Sequence, residues 1–200
     1  MNPARYPFEL VETLRLKDGR SVLVRPIHPQ DEPIVQSFVR SLSPRSRYFR
    51  FHTAIRELDS RMLHAATHVD YQRHLALIAE SFDGDVETEV AAARYVVRRE
   101  QPRDADFAVA VADAWQRQGL ARRLLERLIE VAAARGVRRL HGDVLENNHA
   151  MLNLAAACGF DITPAAEPGV LQVAREIAPC SAPLLRPLMP GIEEALAYPA

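Results

Sequence analysis

The segment Val111-Ala112-Asp113-Ala114-Trp115-Gln116-Arg117-Gln118-Gly119-Leu120-Ala121-Arg122 has the residue types of an anion site. It joins an alternating apolar stretch (Phe107, Val109, Val111) to a stretch of helical period, where a helix N-terminus leaves backbone N–H groups unpaired and partly positive. Gly119 and Ala121 keep that opening clear of side chains, and Arg117, Arg122 and Arg123 add fixed charge around it. The same residues equally suit a helix start packed closely on a sheet, and the segment alone leaves the two readings level. Neither G-x-x-x-x-G-K-S/T nor G-x-G-x-x-G occurs, which argues against a P-loop nucleotidase and a Rossmann dinucleotide enzyme.

Other reactive residue types point to less. His64-x-x-x-His68 has metal spacing with His74 nearby, but no Glu or Cys follows in a zinc pattern, so no metal is expected. Cys158 reads as a small packing residue, and two cysteines cannot build a disulfide framework, which suits a reducing cytoplasm.

The elements that must position the anion loop follow from periodicity. Strands are predicted over Phe8 to Leu16 and Arg20 to Pro26, joined by a two-residue Asp18-Gly19 turn. A helix is predicted over Pro29 to Leu42, punctuated by Ser43-Pro44, and a second in the later half of Arg47 to His68. Tyr48, Phe49, Phe51, Leu58, Met62 and Leu63 are expected to pack inward. Leu75 to Phe82, Val90 to Val97 and the Phe107–Val111 stretch read as three antiparallel strands. Leu120, Leu124, Leu125, Leu128, Ile129 and Ala132 form one face of a long helix that Gly136 stops. Arg138 to Leu145 is a strand, Asn148 to Ala157 a helix, and Phe160 to Thr163 and Val170 to Ile177 are strands. The order is a mixed α/β architecture, not a regular doubly wound one.

Composition agrees with a soluble domain. The 200 residues carry 25 basic and 26 acidic side chains, a net charge of −1, and so no field that would draw nucleic acid. A single one of the basic residues, Lys17, is lysine. No apolar run would span a membrane, and Met1 to Leu10 does not read as a signal peptide, so the expected compartment is the cytoplasm. The expected division is a domain over 8–177 and a proline-rich C-terminal tail over 178–200, whose Leu184, Leu185, Leu188 and Met189 would suit a partner.

Two motifs carry a resemblance. Gln116-x-x-Gly119-x-Ala121, preceded by Val111, resembles the Q/R-x-x-G-x-G/A signature of the GNAT N-acetyltransferases, and Asn148, Leu152 and Gly159-Phe160 resemble their N…L…GF motif. The likeness is closer still to the GNAT domain of Pat-type protein lysine acetyltransferases. It runs through Leu16-Lys17-Asp18-Gly19-Arg20, Val24-Arg25-Pro26-Ile27, Leu42-Ser43-Pro44, Ser46-Arg47-Tyr48-Phe49-Arg50-Phe51, Val69-Asp70-Tyr71 and Ala105-Asp106-Phe107-Ala108-Val109.

The resemblance implies a GNAT-type central mixed, mostly antiparallel sheet flanked by helices. It implies direct acetyl transfer from acetyl-CoA to an amine, with a protein lysine as acceptor and an acyl-CoA synthetase as a candidate protein substrate. No nucleic-acid or membrane partner is implied, and a homodimer stays open. Acetyl-CoA would be held by Val109, Val111, Gln116, Arg117, Gln118, Gly119, Leu120, Ala121, Arg122 and Asn148. The general base would be Asp106, where Pat-like domains carry Glu, or Asp143 on a later strand; both are one methylene short. The position of the family's thiolate-protonating tyrosine holds Ala155, so water or another group must serve. A small-molecule amine acetyltransferase and a non-catalytic acyl-CoA sensor are the competing readings.

Overall fold

The computed structural model describes residues 5–84 and 86–179, so most of the proline-rich tail, with its apolar residues and Cys180, lies outside the described residues. Among the described residues eight strands form one sheet: β1 (Glu12–Arg15), β2 (Ser21–Pro26), β3 (His74–Asp83), β4 (Val86–Val97), β5 (Asp104–Val111), β6 (Arg139–Leu145), β7 (Asp161–Pro164) and β8 (Val170–Glu176). Their order is β1-β2-β3-β4-β5-β6-β8-β7, antiparallel throughout except for the parallel β5–β6 pair. The architecture is the mixed α/β class the sequence predicts, with five α-helices among the described residues, α1 (Glu32–Ser41), α2 (Pro44–Phe51), α3 (Ser60–Thr67), α4 (Leu120–Ala134) and α5 (His149–Ala157).

The apolar stripe of α4, from Leu120 through Leu124, Leu125 and Leu128 to Ala132, is buried against one sheet face with Leu75, Leu77, Tyr95 and Leu140. The opposite face carries α1 to α3, packed through Val35, Phe38, Leu42 and Leu58 over Ala76 and Ile78.

Three local expectations change. Phe8–Leu10 is a 3₁₀ turn rather than the start of β1, with Leu10 buried and Phe8 70% exposed. The β1–β2 turn has three residues, because Leu16 N–H bonds the Arg20 carbonyl and Gly19 alone, at φ +89°, takes the left-handed conformation. Ser43-Pro44 opens α2 instead of merely ending α1: Ser43 Oγ accepts from Ser46 N–H at 3.2 Å and proline occupies the first turn. The helix has no fully buried residue, so Tyr48, expected inside, is 44% exposed, as Met62 of α3 is at 37%.

Under α1, the sheet buries charge. Arg25 donates to both oxygens of Asp31 (2.7 and 2.9 Å) and of Glu80 (2.8 and 2.5 Å). Glu89, across from Glu80, is 2% exposed and its Oε2 has no partner. Burial, with Glu80 nearby, pushes the Glu89 carboxyl up to about 8. The folded state therefore keeps a proton that the unfolded chain releases near pH 4.3, so Glu89 stabilises fully below that pH and progressively less up to about 8. Thermal melts between pH 5 and 8 should show the wild type losing stability relative to Glu89→Gln; parallel curves would show that Glu89 titrates normally.

Candidate active site

A fork in the sheet makes the site. β5 and β6 share parallel register only at Asp104–Arg139, Ala105–Leu140 and Asp106–His141. Beyond Asp106, β5 stays with β4 as far as Val111 and β6 stays with β8 as far as Leu145, so the facing edges diverge. Gly142 stands at the fork, where a Cβ would come within 3.2 Å of the Phe107 carbonyl oxygen and 3.4 Å of its ring. The opening is a cleft of about 640 Å³, a size that suits an extended small-molecule ligand. Both strand edges, α2, the loop before α4 and the N-terminal turns of α4 and α5 line it.

The loop is braced by the start of α2. Asp113 accepts from Ser43 N–H (2.9 Å), Ser43 Oγ (2.8 Å) and Ser46 Oγ (2.9 Å). Burial raises its carboxyl, but these hydrogen bonds outweigh that and hold it below the ordinary carboxylate range. Gln116 donates from Nε2 to the Val111 carbonyl at 3.1 Å. Arg117 at φ +61° and Gly119 at φ +87° then turn the chain sharply into α4. No described side chain caps that helix, its first turn lines the opening, and its ladder begins only with Arg123 N–H to the Gly119 carbonyl. This is a cradle with the donors and the clearance that a pyrophosphate needs.

Of the residues the sequence assigns to cofactor binding, Val109, Val111, Gln116, Arg117, Gly119, Leu120, Ala121, Arg122 and Asn148 line the cleft, and Gln118 does not. The Leu120 side chain is buried in the core, which leaves its backbone N–H as the group it can offer. Arg122 also pairs with Glu126 at 2.8 Å along α4. Asn148 caps α5 by accepting from Met151 N–H at 3.2 Å, and Ala155 is buried and has no proton to give.

The two candidate bases part company. Asp143 is exposed on the cleft wall, and no described residue hydrogen-bonds its oxygens. Asp106 is not part of the lining. Both its oxygens are taken by Arg98, from Nε at 3.1 Å and from Nη2 at 2.9 Å. His141 Nδ1 lies 3.1 Å from Arg98 Nη2 and 3.3 Å from Asp106 Oδ1, so the three side chains form one cluster. Burial lowers the His141 pKa, Asp106 opposes that and Arg98 adds to it, so the ring is neutral near pH 7.

Three features were missed in the sequence. Ser46, Phe49 and Arg50 of α2 form the wall opposite α5. Burial, with Arg94 nearby, brings the Arg50 guanidinium down to about 10. Glu32 of α1 reaches His64 of α3 and His68 just after it, each Nδ1 at 3.9 Å from Oε1, a third ligand that linear spacing could not show. Lys17, distant in sequence, stands beside Gly119.

Comparison with known proteins agrees with this geometry. The pattern of the acetyltransferase (GNAT) family matches residues 44–160. An acetyltransferase of Pseudomonas aeruginosa is 35% identical over 145 residues, which is 72% of this chain and 77% of that protein. The GNAT domain of S. lividans PAT superposes with a TM-score of 0.79 at 29% identity, over 86% of this chain and 100% of that domain. An acetyltransferase fold from Salmonella typhimurium, solved with its cofactor acetyl-CoA, superposes at 0.62 with 18% identity, over 81% of this chain and 97% of that one.

Proposed function

Because the chain belongs to the GNAT acetyltransferase family, we propose that it transfers the acetyl group of acetyl-CoA directly to a protein lysine. The observation that carries this reading is the fork of β5 and β6 with the uncapped N-terminus of α4 at its mouth. It provides an open strand edge for an amide-bearing arm and unpaired N–H groups for phosphate on one ligand. The likeness to the S. lividans PAT domain, together with the Pat-like stretches of sequence, supports lysine as the acceptor class.

Acetyl-CoA supplies the activated acyl group as a thioester. Gly119, Ala121 and the first-turn N–H groups would hold its pyrophosphate, and the free edge of β5 from Phe107 to Val111 its pantetheine amides. An N–H of that edge would polarise the thioester carbonyl. A lysine ammonium, with an ordinary pKa of about 10.4, must lose a proton before it attacks. Asp143 is the base in this reading, directly or through water, because it lies on the cleft wall and no described residue hydrogen-bonds its oxygens. Arg98 fixes Asp106 and His141 behind it. Ala155 leaves water to protonate the departing thiolate.

The deciding experiment supplies labelled acetyl-CoA with acyl-CoA synthetases beside polyamines, amino acids and aminoglycosides. Label should appear on synthetase lysines. Transfer to small amines alone would establish the small-molecule enzyme, and cofactor binding without transfer to any acceptor would establish a sensor.

A further inference from the structure

The only lysine in the chain stands at the phosphate cradle. Lys17 lies in the β1–β2 turn, and its Cε is 3.7 Å from where a Cβ on Gly119 would sit. The turn is pinned in place by Arg20, which donates from Nη2 to the Ala114 carbonyl at 3.1 Å and lies 3.7 Å from the centre of the Trp115 ring. Arg20 also takes the Asp18 carboxylate at 2.7 Å, so the acid next to Lys17 in sequence is already engaged. Lys17 itself is exposed and makes no ion pair among the described residues. Arg122, one of the arginines at the helix start, shares its charge with Glu126.

A mobile ammonium with no counter-charge, fixed beside an uncapped helix N-terminus, adds to the positive potential there and reaches what the backbone N–H groups cannot. We propose that Lys17 is a ligand for the phosphate groups of acetyl-CoA, and that acylation of this one amine weakens the cofactor site. The assignment rests on the cofactor reading above. In the acylation, the neutral amine forms a C–N bond to the carbonyl of an activated acetyl donor. The donor's leaving group departs with its bonding electrons and the amine proton passes to solvent. The product amide carries no charge and two fewer N–H donors than the ammonium.

Lys17 and the N-terminal amine are the only amines in the chain, which makes the test clean. Calorimetry with acetyl-CoA should show about tenfold weaker binding for Lys17→Met, as expected for one charge-assisted contact of ~1.4 kcal/mol. Lys17→Arg should stay within about threefold of the wild type. Repeating the titrations with dephospho-CoA tells which phosphate is held. The Lys17→Met effect persists for a pyrophosphate contact and vanishes for a 3′-phosphate contact. In parallel, N-hydroxysuccinimidyl acetate with mass-spectrometric readout should modify Lys17 several-fold more slowly when CoA is bound, while the N-terminal amine reacts at an unchanged rate. Wild-type protein acetylated at Lys17 should bind like Lys17→Met. Binding of Lys17→Met within twofold of wild type overturns the assignment, whether or not CoA shields the amine. If the unmodified wild type binds no acetyl-CoA, the cofactor reading itself fails, and Lys17 with it.

Discussion

Gly119→Glu should abolish acetyl-CoA binding while leaving the fold intact. Three effects of the substitution act in the same direction. Gly119 sits at φ +87°, a conformation that costs an L-residue roughly 1–2 kcal/mol, so any side chain strains the entry to α4. The new side chain projects over the opening that small residues keep clear, and its Cβ begins only 3.7 Å from Lys17 Cε. Its carboxylate then repels phosphate and captures the nearby ammonium. Together these should weaken acetyl-CoA by at least about a hundredfold, or ~2.8 kcal/mol, in calorimetry. Gly119→Ala separates the contributions, since it keeps the strain but adds no charge and little bulk, and a smaller loss is expected. Thermal melts of both variants should show cooperative unfolding, because the Gly119 side faces the cleft rather than the core. Glutamate at this position with wild-type affinity would remove the phosphates from the α4 N-terminus altogether.

The sequence made this loop legible because its chemistry is local. Gln116, Gly119 and Ala121 lie within one turn of chain, and the apolar stripe of α4 states where the helix begins. The fork was not legible. Nothing in the Asp104–Val111 or Arg139–Leu145 sequences says that pairing stops after Asp106, because it depends on which neighbour each strand follows beyond that point. Gly142 was the available signal, a glycine inside a strand that marks close approach of another backbone. The α2 wall was hidden for a different reason. Ser43-Pro44 can end one helix or begin another, and the aromatic residues after it fit a core as well as a cleft. Lys17 and Glu32 illustrate the general limit: each acquires its neighbours through sheet order or helix packing, which no spacing along the chain records.

That limit bears directly on the base, where sequence correspondence and geometry favour different carboxylates. Correspondence with Pat-like domains selects Asp106, while the cleft exposes Asp143. A carboxylate already accepting from Arg98 through both oxygens must break those bonds to take a proton from an incoming amine or water. Asp143 carries no such commitment. Asp143→Asn should therefore lower kcat by about a hundredfold or more, within the span ordinary for losing a general base, with acetyl-CoA affinity close to wild type. Its residual rate should climb with pH, since the fraction of free amine then comes from solvent alone. Asp106→Asn should cost less, about tenfold, by loosening Arg98 and the His141 ring beside it, and should leave the shape of the pH profile unchanged. Steady-state rates for the two variants on one acceptor, with the cofactor Kd measured separately, decide the matter. A large loss in Asp106→Asn beside a near-normal Asp143→Asn would transfer the role to Asp106 and require Arg98 to release it when acetyl-CoA binds. Equal and large losses would make the two carboxylates a pair sharing one water across the fork.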